Sequence, residues 1–239
     1  MNLALDIGNT RTKIGLFKNS KCIKTFVEED FTTIKLKTVL NNNTITNSII
    51  ASTKKPNKTL EKLLEQNTNF VAFNNTIQLP FKNNYQTPTT LGKDRLALIA
   101  AAVAMYPKEN VLVIGCGTCI TFNFKSNKEV FLGGSIHPGL KMRAKAMHQF
   151  TANLPLVDLK WNKNSIAKNT IAALENGVLY GAIAEIDGII AQYQEIYKDL
   201  TILITGGDSK ILVSKLKNKI FAHSNLTLIG LNKILEHNV

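Results

Sequence analysis

Near its start the chain reads LALDIGNTRTKIGLF, Leu3–Phe17, where two apolar runs flank a Gly-Asn-Thr turn. That pattern predicts a strand, a tight turn and a second strand. It recurs at Val111–Phe124, VLVIGCGTCITFNF: an apolar run, a glycine-rich turn, then Ile120, Phe122 and Phe124 in alternation. With Gly8 aligned on Gly117, Thr12 falls on Thr121 and Asp6 on Gly115. The chain therefore reads as two copies of one half-domain rather than a solenoid of many repeats.

Between the copies, Asn41–Asn84 is rich in Asn, Thr and Lys, with a short strand at Ser48–Ser52 and a helix at Asn57–Gln66. A further helix has its apolar body at Leu96–Met105, with Thr89 or Thr90 as its cap and Pro107 as its stop. After the second copy, FLGGSIHPGLKMRAKAMHQF predicts a glycine-rich loop and a helix. NTIAALENGVLYGAIAEIDGIIAQYQEIY predicts one long helix or a helix pair, and its Gly177, Gly181 and Gly188 suggest close approach of another helix or a ligand. TILITGGDS is an apolar strand running into a glycine turn, and the tail ends in a short amphipathic helix. Strands alternate with helices throughout, so the fold class is α/β. The boundaries expected are 1–110 for the first half-domain and 111–239 for the second.

At 239 residues and 44% hydrophobic content the chain has material for one large core or two small ones. A charged fraction of 19% sets it apart from disordered chains. The run Leu96–Pro107 falls short of the ~18 apolar residues of a membrane span. The N-terminus lacks a basic region and carries an acid at Asp6, so no secretory signal, no membrane partner and a cytoplasmic location are expected. Three cysteines argue against a secreted disulfide scaffold. The net charge of +12 comes from scattered lysines without long basic blocks, and aromatics make up 7%, so no nucleic-acid partner is expected. Of the 29 basic residues all but Arg11, Arg95 and Arg143 are Lys, which suggests that Arg is kept where a planar fork meets phosphate or carboxylate.

The first hairpin carries chemistry. Gly8, Asn9 and Thr10 after an apolar strand present backbone N–H groups and a hydroxyl to an anion. Asp6 at the strand end suits a magnesium ion or its water shell, and Lys13 adds positive charge. Cys116 and Cys119 form a single CxxC inside the second turn, better explained as small packing residues than as a metal or redox pair. His137 follows the glycine loop, a position from which it could line a cleft. Two glycine-turn hairpins and a late Thr-Gly-Gly turn resemble the layout of the actin, Hsp70 and sugar-kinase superfamily.

DIGNTRTK, Tyr85 with Pro88 ahead of GKDR, GCGTCIT, GGSIHPGL, Asn169–Thr170 and Thr205–Gly207 follow one another as in type III pantothenate kinases, which the chain resembles over nearly its whole length. The resemblance implies two tandem ribonuclease-H-like (actin-like ATPase) half-domains with a cleft between them. It implies ATP-dependent, magnesium-dependent phosphorylation of pantothenate, the first step of coenzyme A biosynthesis, by a homodimer. Carried over by position, Asp6, Ile7, Gly8, Asn9, Thr10, Arg11, Thr12 and Lys13 would form the ATP phosphate segment, and Thr118 a further ATP contact. Gly92, Lys93, Asp94 and Arg95 would bind pantothenate, with Tyr85 and Thr170, and Asp94 would accept the proton of the hydroxyl. Arg95 would bind the pantothenate carboxylate or steady the base.

One position departs from the family pattern. Its second hairpin begins Asp-x-Gly-Thr, and that Asp binds a monovalent cation, potassium or ammonium; here the position is Gly115. Three readings follow: a kinase active without the cation, a weakened or inactive kinase, or a fold reused for another task. The alternative to catalysis is a Bvg-accessory-factor-like member or pseudokinase acting by partner binding. A sugar kinase is disfavoured by GKDR and Tyr85.

Overall fold

The computed structural model describes residues 1–53, 57–161 and 164–239. In chain order the elements are β1 (Asn2–Ile7), β2 (Thr12–Lys18), β3 (Lys21–Glu28), α1 (Thr33–Asn41), β4 (Asn47–Ser52), α2 (Lys58–Asn67), β5 (Asn69–Ala72), β6 (Lys82–Asn83), α3 (Lys93–Met105), β7 (Asn110–Cys116), β8 (Cys119–Lys125), β9 (Val130–Pro138), α4 (Leu140–Gln149), α5 (Thr170–Ile196), β10 (Leu200–Thr205), α6 (Ser209–Val213), β11 (Phe221–Ala222) and α7 (Leu226–His237).

One sheet has the strand order β3-β2-β1-β4-β5 and the other β11-β10-β7-β8-β9-β6. Read from β9 to β11, the second repeats the first, with β6 added beyond β9. In the first, β1 runs antiparallel to β2 and parallel to β4; in the second, β10 runs parallel to both β7 and β11. The duplication read from the two hairpins is thus a duplication of sheet topology.

The two turns differ in length. Gly8 N–H donates to the Arg11 carbonyl at 3.1 Å, whereas Gly117 N–H donates to the Cys119 carbonyl at 3.0 Å. The second turn is one residue shorter, so beyond it Thr12 corresponds to Ile120 rather than to Thr121. A one-residue slip reverses which face a strand side chain takes. Thr12 and Ile120 are both buried. Asp6 and Gly115 lie ahead of the turn and keep their correspondence.

By compactness the chain divides into two units that do not follow it as contiguous blocks. One comprises Met1–Lys108, Asn123–Gly133 and Asn225–Val239; the other comprises Glu109–Phe122 and Gly134–Ser224. In the first, Leu3, Leu5, Ile14, Leu16 and Ile50 of the sheet pack with Leu36 of α1 and Leu60 and Leu64 of α2. Gly15, between Ile14 and Leu16, faces the other way, where a Cβ would stand 3.3 Å from Leu228 of α7. Helices α3 and α7 are in close contact. Gly230 of α7 lies against the Ala97 carbonyl of α3, where a Cβ would overlap it. In the second unit, Val111–Ile114 of β7 and Ile202–Ile204 of β10 are fully buried, as are Val178, Leu179, Ala182, Ile186 and Ile190 of α5.

Four local expectations are corrected. Gly92, not Thr89 or Thr90, caps α3, because Pro88–Thr90 forms a separate 3-10 turn. The segment GGSIHP is the second half of β9, not a loop; Gly133 and Gly134 adopt φ of +112° and +149° there, a region open to glycine. Helix α7 is buried almost all round rather than amphipathic. Gly177, Gly181 and Gly188 lie on one continuous α5, and a Cβ on each would meet nothing within 4 Å among the described residues, so the close approach of another helix is not made within this chain.

Candidate active site

Asp6 and Lys13 are direct cross-strand partners near the end of the first hairpin. Burial pushes the Asp6 carboxyl up from its ordinary 3.8 to about 6; the Lys13 ammonium opposes this and the Asp94 carboxylate adds to it. Two acids and a lysine therefore share one electrostatic neighbourhood. Ile7 and Thr12 close the ladder, and Thr12 is buried. Asn9, Thr10 and Arg11 at the turn are exposed, free of the sheet and open to a ligand.

Asp94 is the second residue of α3, in the first turn after Gly92. A carboxylate there complements the positive end of the helix dipole. A Cβ on Gly92 would stand where the Asp94 carboxylate now lies, and the carboxylate would have to turn away. Lys93 places its ammonium 5.9 Å from the centre of the Phe73 ring. Arg95 turns inward and is 3% exposed. Its Nε donates to Asn123 Oδ1 at 2.6 Å, and its guanidinium stands 5.4 Å from the Tyr85 ring and 5.8 Å from the Phe131 ring. Those rings stack at 5.9 Å, nearly parallel. The structure thus brings Asp6, Lys13 and Asp94 together, and Tyr85 with Arg95.

Gly115, Thr118 and Thr170 belong to the other unit. Thr118 is exposed on the second turn. Gly115 is the register partner of Thr205 in β10, whose hydroxyl is buried with no hydrogen-bond partner among the described residues. Gly206 follows at φ +107°, pressed against the Cys116 carbonyl, which also accepts from the Asp208 N–H at 3.2 Å. Only glycine fits that approach. Burial and the Asp208 charge push the Cys116 thiol up to about 12, leaving little thiolate for redox or metal chemistry. Thr170 opens α5, capped by Asn169, whose Oδ1 accepts from the Ala172 N–H at 2.9 Å. It lines a shallow depression with Asn169, Ile171, Ala172 and Glu175.

His137 bonds Ser135 Oγ at 2.7 Å through Nε2 and faces Glu185 at 3.1 Å through Nδ1. Arg143 Nη2 reaches both Glu185 oxygens, at 2.7 and 2.8 Å. This second arginine therefore meets a carboxylate of the protein itself. Glu185 and Asn123 are not legible in the sequence as site-associated residues; for Asn123 the one signal is a carboxamide between Phe122 and Phe124 in a strand buried on both faces. Among the described residues no group of three or more His, Cys, Asp or Glu is placed to hold a metal ion.

The family model for type III pantothenate kinase matches residues 2–192. A type III pantothenate kinase of Christiangramia forsetii is 45% identical over 240 aligned residues, covering 100% of this chain and 99% of that one. The chain belongs to the type III pantothenate kinase family. Two solved structures show the same fold. A Campylobacter jejuni protein described as a Baf family transcriptional activator superimposes with TM-score 0.61 at 24% identity, covering 99% of this chain and 98% of that one. A ROK family glucokinase from Streptomyces griseus, in complex with glucose and AMPPNP, does so with TM-score 0.52 at 10% identity, covering 99% of each. The architecture of this type III pantothenate kinase family member is the expected pair of ribonuclease-H-like, actin-like ATPase halves.

Proposed function

We propose that the protein transfers the γ-phosphoryl group of ATP to the 4′-hydroxyl of pantothenate, with Asp94 as general base. The observation that carries this reading is the full-length match to type III pantothenate kinases, with Asp94 in the first turn of α3 and in the same compact unit as the exposed turn residues Asn9, Thr10 and Arg11. Asp94 accepts the hydroxyl proton as the oxygen attacks the γ-phosphorus, and the bond to the β,γ-bridging oxygen breaks to release ADP. Backbone and side-chain donors of Gly8, Asn9, Thr10 and Arg11, with Lys13 and Thr118, hold the phosphates; Ile7 and Thr12 fix the hairpin beneath them. Gly92, Lys93, Arg95, Tyr85 and Thr170 hold pantothenate. Holding both reactants in line is most of what phosphoryl transfer requires.

Magnesium would neutralise phosphate charge. Asp6, a partly buried carboxylate at the end of the first hairpin, would hold it or its waters. A monovalent cation finds no carboxylate at Gly115, and no step is assigned to one. The same reading includes the division of the chain at about residue 110 into half-domains, a homodimer and a cytoplasmic location. The non-catalytic alternative gains nothing from the Baf-described neighbour, whose 24% identity supports the fold alone.

Asp94→Asn tests the reading. It is expected to lower kcat by about 10²-fold or more, the order a positioned acid-base group contributes, while the protein still binds ATP with magnesium. Turnover close to that of the parent would refute the assignment.

A further inference from the structure

Arg95 is a buried cation that makes no ion pair among the described residues. It is 3% exposed, and its Nη2 has no hydrogen-bond partner among the described residues. Its polar partner at Nε is Asn123, itself 0% exposed. A guanidinium only donates, so the carboxamide must present its oxygen to Nε, as it does at 2.6 Å. Stacked Tyr85 and Phe131 offer the cation their ring faces, which attract it without cancelling its charge. An isolated buried charge is expensive unless something pairs with it. A carboxylate in place of Asn123 would be the direct internal solution. The chain uses the neutral isostere instead, which pins the side chain at one nitrogen and leaves the charge and Nη2 unspent.

We propose that Asn123 is a positioning residue that sets substrate specificity: by anchoring Arg95 through a neutral acceptor, it keeps the guanidinium uncompensated for the carboxylate of the substrate. This rests on pantothenate being the substrate. Asn123 acts through Arg95 and does not touch the reacting atoms. Replacing it with an acid of the same shape gives Arg95 an internal counter-ion, and the substrate carboxylate then competes with a tethered one.

The test compares the full-length parent, Asn123→Asp and Asn123→Ser by calorimetric binding of pantothenate and of its alcohol analogue, in which a hydroxymethyl replaces the carboxylate. The parent is expected to prefer pantothenate. Asn123→Asp is expected to weaken pantothenate binding by about tenfold or more, in keeping with loss of a charge-assisted bidentate contact, and to leave the analogue's affinity in place. Asn123→Ser, which keeps the surroundings neutral, retains the preference. A purely structural role would weaken both ligands alike and would overturn the proposal, as would an unchanged ratio in Asn123→Asp or no binding of pantothenate by the parent. Should Asn123→Asp not fold, Arg95→Gln decides: the preference for the carboxylate must collapse, and its persistence refutes the idea. Binding is measured apart from turnover, so a parent that binds pantothenate without phosphorylating it sinks the kinase reading and leaves this one to its own result.

Discussion

Asp6, the acid proposed to hold magnesium, works against the fold that holds it. Its carboxyl titrates near 6 in the folded chain against an ordinary 3.8, chiefly because burial disfavours the charge. The folded state therefore holds a proton more tightly than the unfolded one. Its stabilising contribution is present below about pH 4, is lost as pH rises through about 6, and stays lost above. Two pKa units correspond to about 3 kcal/mol. Asp6→Asn, which removes the charge, is expected to stabilise the ligand-free protein by about 2–3 kcal/mol at pH 8 and by little at pH 3.5, while abolishing turnover. Denaturant unfolding at the two pH values measures this, and an equal effect at both would contradict the cause given. The same residue is legible in the sequence because an acid at the end of an apolar strand, ahead of Gly-Asn-Thr, has few structural reasons to be there. Asn123 is not: a lone carboxamide in a strand carries no motif, and its meaning appears only when Arg95, distant in sequence, is found against it.

At the level of elements, apolar pattern locates most strands and helices, and glycine misleads in both directions. Glycines in α5 suggest close packing, yet a Cβ there meets open space; the pair in β9 suggests a loop, yet they sit in a strand. Helix–helix separation cannot be read from a glycine's own position, because it depends on which backbone comes opposite. The glycine that does set a distance is Gly230, where α7 touches the Ala97 carbonyl of α3. Since α3 carries Asp94 and Arg95 in its first turn, that contact also fixes where those two side chains start. Gly230→Ala must push the two backbones apart. Overpacking of this kind typically costs about 1–3 kcal/mol, and the relief that alanine brings to a helix interior, about 1 kcal/mol, is too small to offset its upper range. The expected result is a lower denaturation midpoint with unchanged slope and a raised KM for pantothenate. A variant as stable as the parent would show that α3 and α7 can separate freely.

For the whole molecule the governing fact is duplication. The strand order β3-β2-β1-β4-β5 returns as β9-β8-β7-β10-β11, and the matched hairpins make this legible in the amino-acid sequence. The copies have diverged in charge: near its end β1 carries Asp6, paired with Lys13 of β2, whereas at the matching place β7 has Gly115, paired with Thr205 of β10. A carboxylate at that place would attract a cation by several kcal/mol in surroundings of low dielectric; a glycine and a buried hydroxyl cannot. We therefore expect pantothenate phosphorylation at matched ionic strength to differ by no more than about twofold between potassium, ammonium and sodium, since without a fixed anion the field discriminates little among monovalent ions. Gly115→Asp restores the charge, and in that variant the rate is expected to depend on potassium or ammonium. If instead the parent is silent in sodium and active in potassium, some other oxygen ligand has taken over the role, and the hydroxyl of Thr205, tested as Thr205→Val, is the first to examine. A parent silent in all three salts, with activity appearing in Gly115→Asp, would mean that loss of this one carboxylate had switched the kinase off.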